Sequence, residues 1–246
     1  MIFFRKKKKE PLTDLFSQLR TDMHSHLLPG IDDGAQDLSQ SLELIRGLQE
    51  LGYQKLVTTP HILQPLYPNT REIITEKLEA MQEILKEEQI GLELQAAAEY
   101  FLDEHVSNLL RSAVPLLSFG DQYVLVEFSM ASAPLNLKEL LFELQLQGYK
   151  PVIAHPERYV YLEHNRQLYD ELKDAGYLFQ LNILSLGGAY GRLVQELANH
   201  LAKQGYYDLV GTDMHHVRHL KALQNPALLA PLAKLLESGK ILNATL

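Results

Sequence analysis

Short β-rich runs alternate with helical stretches along this chain, and almost every β-rich run closes on a residue of metal-ligand type. The first passes through Thr21-Asp22-Met23-His24-Ser25-His26. The others cover residues 55–59, closed by Pro60-His61, then 92–98, ending at Glu99, and 123–126, ending at Glu127. Residues 151–154 end at His155, 177–181 run into Asn182, and 208–212 end in Asp213-Met214-His215. Between them the sequence predicts helices over 39–51, 70–88, 103–111, 137–147, 165–175 and 190–204, with a last one over 227–237 after Pro226. The first shows the logic: Leu42, Ile45, Leu48 and Leu51 recur at near-helical spacing and Gly52 supplies the stop. Alternation of this kind argues a mainly parallel sheet with helices outside. Seven such units in 246 residues, with no linker between them, predict one α/β domain closed as a (β/α) barrel. Barrel sites lie at the C-terminal ends of the strands, which is where these residues fall.

Residues 1–19 read as a basic N-terminal tail, Arg5 to Lys9, followed by a short amphipathic segment over 11–19, with the main domain over 20–246. The charge follows the apolar Met1-Ile2-Phe3-Phe4 instead of preceding it, so the start does not read as a secretory signal. A solvated tail is the plain expectation; weak attraction to an acidic partner or to anionic lipid, the latter implying proximity to a membrane, is the sharper one.

Even with that run included the chain is acidic, with 23 Lys and Arg against 31 Asp and Glu and a net charge of −8. Binding along a nucleic-acid backbone is therefore not expected. There is no cysteine. That excludes disulfides, zinc–thiolate sites and any phosphatase with a cysteine nucleophile, so hydrolysis here must use a metal-activated water or another side chain.

Residues two apart on a strand share a face, which would set His24 and His26 side by side. Polar residues at strand ends often only face solvent or cap the next helix, and that explains one or two of the set. It explains poorly a series of imidazoles and carboxylates placed after apolar runs. Histidine and carboxylate ligands without thiolate suit Mn, Fe or Zn with no firm choice among them, and a carboxylate such as Glu99 can bridge two ions. The loop over 27–36, with Pro29, Gly30, Asp32, Asp33 and Gly34, reads as a turn.

Thr-Asp-Met-His-Ser-His, Thr-Thr-Pro-His, Ala-Glu-Tyr, Val-Glu-Phe, Ala-His-Pro-Glu-Arg-Tyr and Gly-Thr-Asp-Met-His, in order over about residues 20–217, resemble the polymerase-and-histidinol-phosphatase (PHP) superfamily. The His-x-His-x-x-Pro-x-x-Asp-Asp-Gly opening and the His-Pro-Glu-Arg-Tyr segment are similar to those of the bacterial capsule-type tyrosine-protein phosphatases. The resemblance implies a distorted seven-stranded barrel with a trinuclear centre, often of manganese. Carried over by motif, His24, His26, Glu99 and Asp213 would hold one ion, Glu99, Glu127 and His155 a second, and Asp32, His61 and His215 a third, with Asp33 the alternative to Asp32. Arg158 matches the arginine that binds the phosphate. Arg218 is the candidate for a second, although it lies closer to His215 than the family pattern.

The resemblance further implies hydrolysis of protein phosphotyrosine by metal-bound hydroxide. The partner would be the tyrosine-rich tail of a bacterial autokinase controlling capsule or exopolysaccharide synthesis, met in the cytoplasm. The rival on the same scaffold is a small-molecule phosphatase such as one for histidinol phosphate. A polymerase-type nuclease module and a non-catalytic metal scaffold are more distant. His105, His164 and His200 fall away from strand ends and read as structural or exposed; His216 and His219 lie near the site in sequence. Gln180 and Asn182 end the one strand without a charged or imidazole ligand, and Gly187, Gly188 and Tyr190 form a loop above it.

Overall fold

A computed structural model describes residues 11–112 and 114–246; the basic run from Arg5 to Lys9 lies outside them. The strands are β1 (Thr21–Asp22), β2 (Lys55–Thr58), β3 (His61–Ile62), β4 (Glu93–Ala96), β5 (Glu99–Phe101), β6 (Tyr123–Glu127), β7 (Lys150–Ala154), β8 (Leu178–Asn182) and β9 (Leu209–Gly211). All pairings between them are parallel, in a three-stranded sheet ordered β1-β2-β4 and a six-stranded sheet ordered β3-β5-β6-β7-β8-β9. The helices are α1 (Pro11–Leu19), α2 (Leu38–Leu51), α3 (Arg71–Glu87), α4 (Glu104–Arg111), α5 (Leu137–Leu146), α6 (Gln167–Asp174), α7 (Ile183–Leu186), α8 (Arg192–Gln204), α9 (Val217–Ala222) and α10 (Leu229–Leu236). None of them is long and apolar enough to cross a membrane.

Seven strands were expected where nine are seen among the described residues, because two are interrupted. The chain breaks its pairing at Thr59-Pro60, where proline has no N–H to donate, and again at Ala97-Ala98. The offset nevertheless stays the same: Thr58 partners Ala96 and, past the break, His61 partners Glu99. Across the break, Ala97 N–H donates to the Thr58 carbonyl at 2.9 Å and Glu99 N–H to that of Pro60 at 3.1 Å. Two expected ligands are thus set side by side beyond the interruption.

The ordinary pairing of β1 ends at Asp22, so His24 and His26 lie past it in an extended segment. That segment is gripped from both sides. Asp213 N–H donates to His24 O and His26 N–H to Met214 O, both at 2.8 Å, while Thr59 N–H donates to Ser25 O at 2.6 Å. Below it, Asp22 accepts from the Thr212 backbone at 2.8 Å and from its hydroxyl at 2.7 Å.

Strand alternation sorts the core. In β6, Val124 and Val126 join the large apolar layer under the helices, whereas Leu125 joins a small inner cluster with Met23, Val57, Ala97, Phe119, Val152, Ala154 and Leu209. Both faces are buried, as parallel sheets require. Glu127, two residues after Leu125, continues the inner row. The polar site therefore stands on an apolar plug. Local signals set the helix limits: Asp37 caps α2 through the Gln40 N–H at 2.9 Å and Asp103 caps α4 through that of His105 at 2.8 Å. The helices α7 and α9 and two 3-10 turns over 156–158 and 160–164 lie outside the expected pattern, being too short to carry a period.

Candidate metal centre

Five imidazoles and four carboxylates converge at the C-terminal edge of the strands. Four overlapping groups have ligand atoms within 4.8 Å of one another: His24-His26-Asp213, His24-Glu99-His155, His61-Glu99-Glu127 and His26-Asp33-His61-His215. Glu99, fully enclosed, belongs to two of them. Its Oε2 lies 3.2 Å from His24 Nε2, 3.4 Å from His26 Nε2 and 3.2 Å from His61 Nδ1; its Oε1 lies 3.2 Å from His155 Nε2. Asp213 Oδ1 stands 3.4 Å from His24 Nε2 and 3.5 Å from His26 Nε2.

Hydrogen bonds behind the imidazoles fix which nitrogens face inward. Gln180 donates its amide to the Leu181 carbonyl at 2.7 Å, so its Oε1 takes the Nδ1–H of His24 at 2.8 Å. Asp32 takes the Nδ1–H of His26 at 2.8 Å, and the Asp213 carbonyl faces His215 Nδ1 at 2.9 Å. In their neutral forms His24 and His26 would then present bare lone pairs at Nε2, 3.3 Å apart, aimed with two carboxylate oxygens at one point. Lone pairs so arranged repel unless protons or a cation lie among them. Atoms bound about 2.0–2.2 Å from an ion sit roughly 3.0–3.5 Å from each other, which is the spacing here. Glu99 Oε1 and His61 Nδ1, both turned into the cluster, are buried without a hydrogen-bond partner, as ligand atoms are when an ion supplies the partner.

Electrostatics agree. Burial disfavours a charged His26, but Asp32, Asp213 and Glu99 outweigh it and hold its pKa well above the ordinary value. Burial likewise opposes protonation of His61, yet the Glu99 carboxylate foremost, with those of Asp33 and Glu127 beside the ring, pushes it up to about 10. Burial would raise Glu99 and Asp213; neighbouring imidazoles, His24 foremost, pull both well below the carboxylate range. The pocket selects positive charge.

Backbone strain marks the same spots. His155 and Asp213 adopt φ of +34° and +50°, a region that residues with a Cβ rarely visit. A Cβ on Gly34 would lie 2.2 Å from the His26 carbonyl oxygen, so only glycine lets the 27–36 loop close against that ligand.

Two of the expected site residues, Asp32 and Arg218, lie outside both the ligand groups and the lining of the cleft. Asp32 is spent elsewhere: besides His26 it accepts from Gly34 N–H at 2.9 Å and His61 N–H at 3.2 Å. Asp33 instead points at the third pair, its Oδ1 3.4 Å from both His61 Nε2 and His215 Nε2. Arg218 is exposed on α9 and does not line the cleft, because helical phase turns it outward while His216 and His219 face in. Arg158 does line it, with Nη1 2.8 Å from Asp213 Oδ2. Gln180 and Asn182 hold His24 and Asp213 from behind, Asn182 donating to Asp213 Oδ2 at 2.9 Å. His105, His164 and His200 stand clear of the cleft.

Residues missed in the sequence include Tyr67, whose ring stacks on His61 at 5.3 Å, and Glu157. Glu157 is buried and accepts from Asn182 N–H, Ser185 Oγ and Tyr207 OH at 3.0, 2.8 and 3.1 Å, anchoring the turn that carries Arg158. Its place between His155 and Arg158 was the only signal. The cleft above the cluster measures about 460 Å³, and Leu66 at its rim is 65% exposed.

Fold and site together define an α/β protein with overlapping candidate metal-ligand groups at a parallel-sheet edge and an arginine beside them. The chain belongs to the family described as capsular polysaccharide synthesis, CpsB/CapC, which matches residues 20–231. It is 32% identical to the tyrosine-protein phosphatase YwqE of Bacillus subtilis, over 80% of this chain and 78% of the relative. It is 29% identical to the tyrosine-protein phosphatase CpsB of Streptococcus pneumoniae, over 80% and 83%. A solved structure from work on YwqE and CpsB, described as metal-dependent tyrosine phosphatases, superposes with a TM-score of 0.78 at 30% identity, covering 89% of this chain and 86% of that one.

Proposed function

We infer that this protein is a metal-dependent phosphatase acting on phosphotyrosine in proteins. The observation that carries the reading is the convergence of bare lone pairs around Glu99 and Asp213, with Arg158 on the same cleft. Within it, His24, His26, Glu99 and Asp213 would hold one ion, Glu99, Glu127 and His155 a second, and Asp33, His61 and His215 a third, with manganese the expected metal. Bound ions would supply an activated water and neutralise charge on the phosphoryl oxygens.

The chain's own groups do the rest. Arg158 has five N–H donors, one of them engaged by Asp213, and offers the others to phosphoryl oxygens. Gln180 and Asp32 keep protons on Nδ1 of His24 and His26, which holds both Nε2 atoms free for an ion. A phenolate leaving group, of pKa about 10, needs little help from a strong acid.

The ligands share strands as a seven-stranded barrel of the PHP type would have them, if β2 with β3 and β4 with β5 are each read as one strand and Ser25 bridging Met214 joins first to last. An autokinase tail is the expected substrate, met in the cytoplasm and tied to capsule or exopolysaccharide synthesis. A histidinol-phosphate enzyme would want a carboxylate free to meet the amine. The carboxylates lining the cleft are Asp33, Glu99, Glu127 and Asp213, all of them in the ligand groups.

The test is turnover by manganese-reconstituted protein of a tyrosine-phosphorylated peptide beside histidinol phosphate. Preference for the peptide, abolished by chelator and by Arg158→Ala, is expected; preference for histidinol phosphate, or a fully metallated protein with no turnover, overturns the reading.

A further inference from the structure

The turn over 156–158 is well anchored, but Arg158 reaches from it on a long side chain whose head must be held separately. Two groups hold it. Asp213 Oδ2 takes Nη1 at 2.8 Å, and the Tyr190 ring lies under the guanidinium, its centroid 4.7 Å from Cζ. Tyr190 is itself tied down: its hydroxyl accepts from Asn182 Nδ2 at 3.0 Å, and that same amide donates to Asp213 Oδ2 at 2.9 Å. Arg158, Asp213, Asn182 and Tyr190 thus form a closed circuit at the cleft wall. The turn before Tyr190 is set by hydrogen bonds from Gly188 to the Ser185 carbonyl at 3.1 Å and from Ala189 to that of Leu184 at 3.2 Å.

We propose that Tyr190 is the positioning residue for Arg158, holding its guanidinium in place for a phosphoryl group; this rests on the phosphatase reading of the site. The chemistry favours an aromatic face for this task. A second carboxylate would occupy N–H donors and cancel the charge that the phosphate needs. A ring attracts the cation through its π-face and consumes no donor. The burden on the ring grows if Asp213 shares its charge with an ion, because the ion pair to Arg158 then weakens.

The experiment is calorimetric titration of inorganic phosphate into manganese-reconstituted protein. Tyr190→Leu should weaken phosphate binding about 10-fold, the range of a partly desolvated cation–π contact. Tyr190→Phe keeps the ring and should stay within about threefold of wild type. In an Arg158→Ala background, Tyr190→Leu should add less than about twofold, since the residue acts through the arginine. Tyr190→Met gives the same ring-free comparison should the leucine variant not fold.

Wild-type affinity in the ring-free variants overturns the proposal. So does a loss in Tyr190→Phe equal to that in Tyr190→Leu, or a full 10-fold loss persisting without Arg158. Peptide turnover plays no part in this readout, so failure of the phosphotyrosine assignment and failure of the Tyr190 assignment are separate results.

Discussion

Truncating Asp32 and Asp33 in turn should give opposite signatures, although the two are neighbours. The Asp32 carboxylate is buried and accepts three hydrogen bonds, from His26 Nδ1 at 2.8 Å, Gly34 N–H at 2.9 Å and His61 N–H at 3.2 Å. Asp32→Ala strands three donors. Each unpaired buried donor costs about 1–3 kcal/mol, and water entering the gap recovers part, so the metal-stripped protein should lose about 3 kcal/mol. Because His26 also loses the group that fixes its Nδ1 proton, metal affinity should fall about 10- to 100-fold. The Asp33 side chain is 51% exposed and only meets the imidazoles at 3.4 Å, so Asp33→Ala should change the stability of the stripped protein by less than about 1 kcal/mol. It should instead remove about one ion from the full complement. Urea unfolding after chelation measures the first quantity, and elemental analysis after manganese reconstitution the second. If Asp32→Ala unfolds like wild type and drops an ion while Asp33→Ala keeps them all, the geometric assignment is wrong.

Proton linkage gives a second expectation. His61, raised from 6.5 to about 10 in the metal-free fold, contributes stability that is fully present below about pH 6.5 and is lost as pH rises through about 10. The melting temperature of chelator-stripped protein should therefore fall across that window, and manganese should flatten the fall; a flat profile without metal refutes it. Gly34→Ala would set a Cβ 2.2 Å from the His26 carbonyl, so the loop must shift, at a cost of about 1–3 kcal/mol. Wild-type melting and an unchanged manganese content in that variant would show that the close approach does not matter.

What the sequence determined by itself was whatever depends on local order. A strand's period of two and a helix's of 3.6 are written in neighbouring residues, so the succession of elements and the ligand types at strand ends could be read directly. The limits of α2, α3, α4 and α5 fell within a residue or two for the same reason, their caps and stops being local. The family motifs suggested roles for those positions.

Tertiary structure decided whatever depends on direction. Asp32 and Asp33 are alike in sequence; the path of the 27–36 loop, closed on His26 by Gly34, turns one behind the imidazole and the other toward the cleft. Arg218 and His219 are adjacent, but helical phase exposes the first and points the second inward. Pairing across large separations was equally hidden. Nothing local ties Gln180 to His24, Asn182 to Asp213 or Tyr190 to Arg158. Those contacts exist because parallel strands of distant origin end at one edge, and the free energy that sets them there comes from the apolar layers beneath, not from the polar residues they carry.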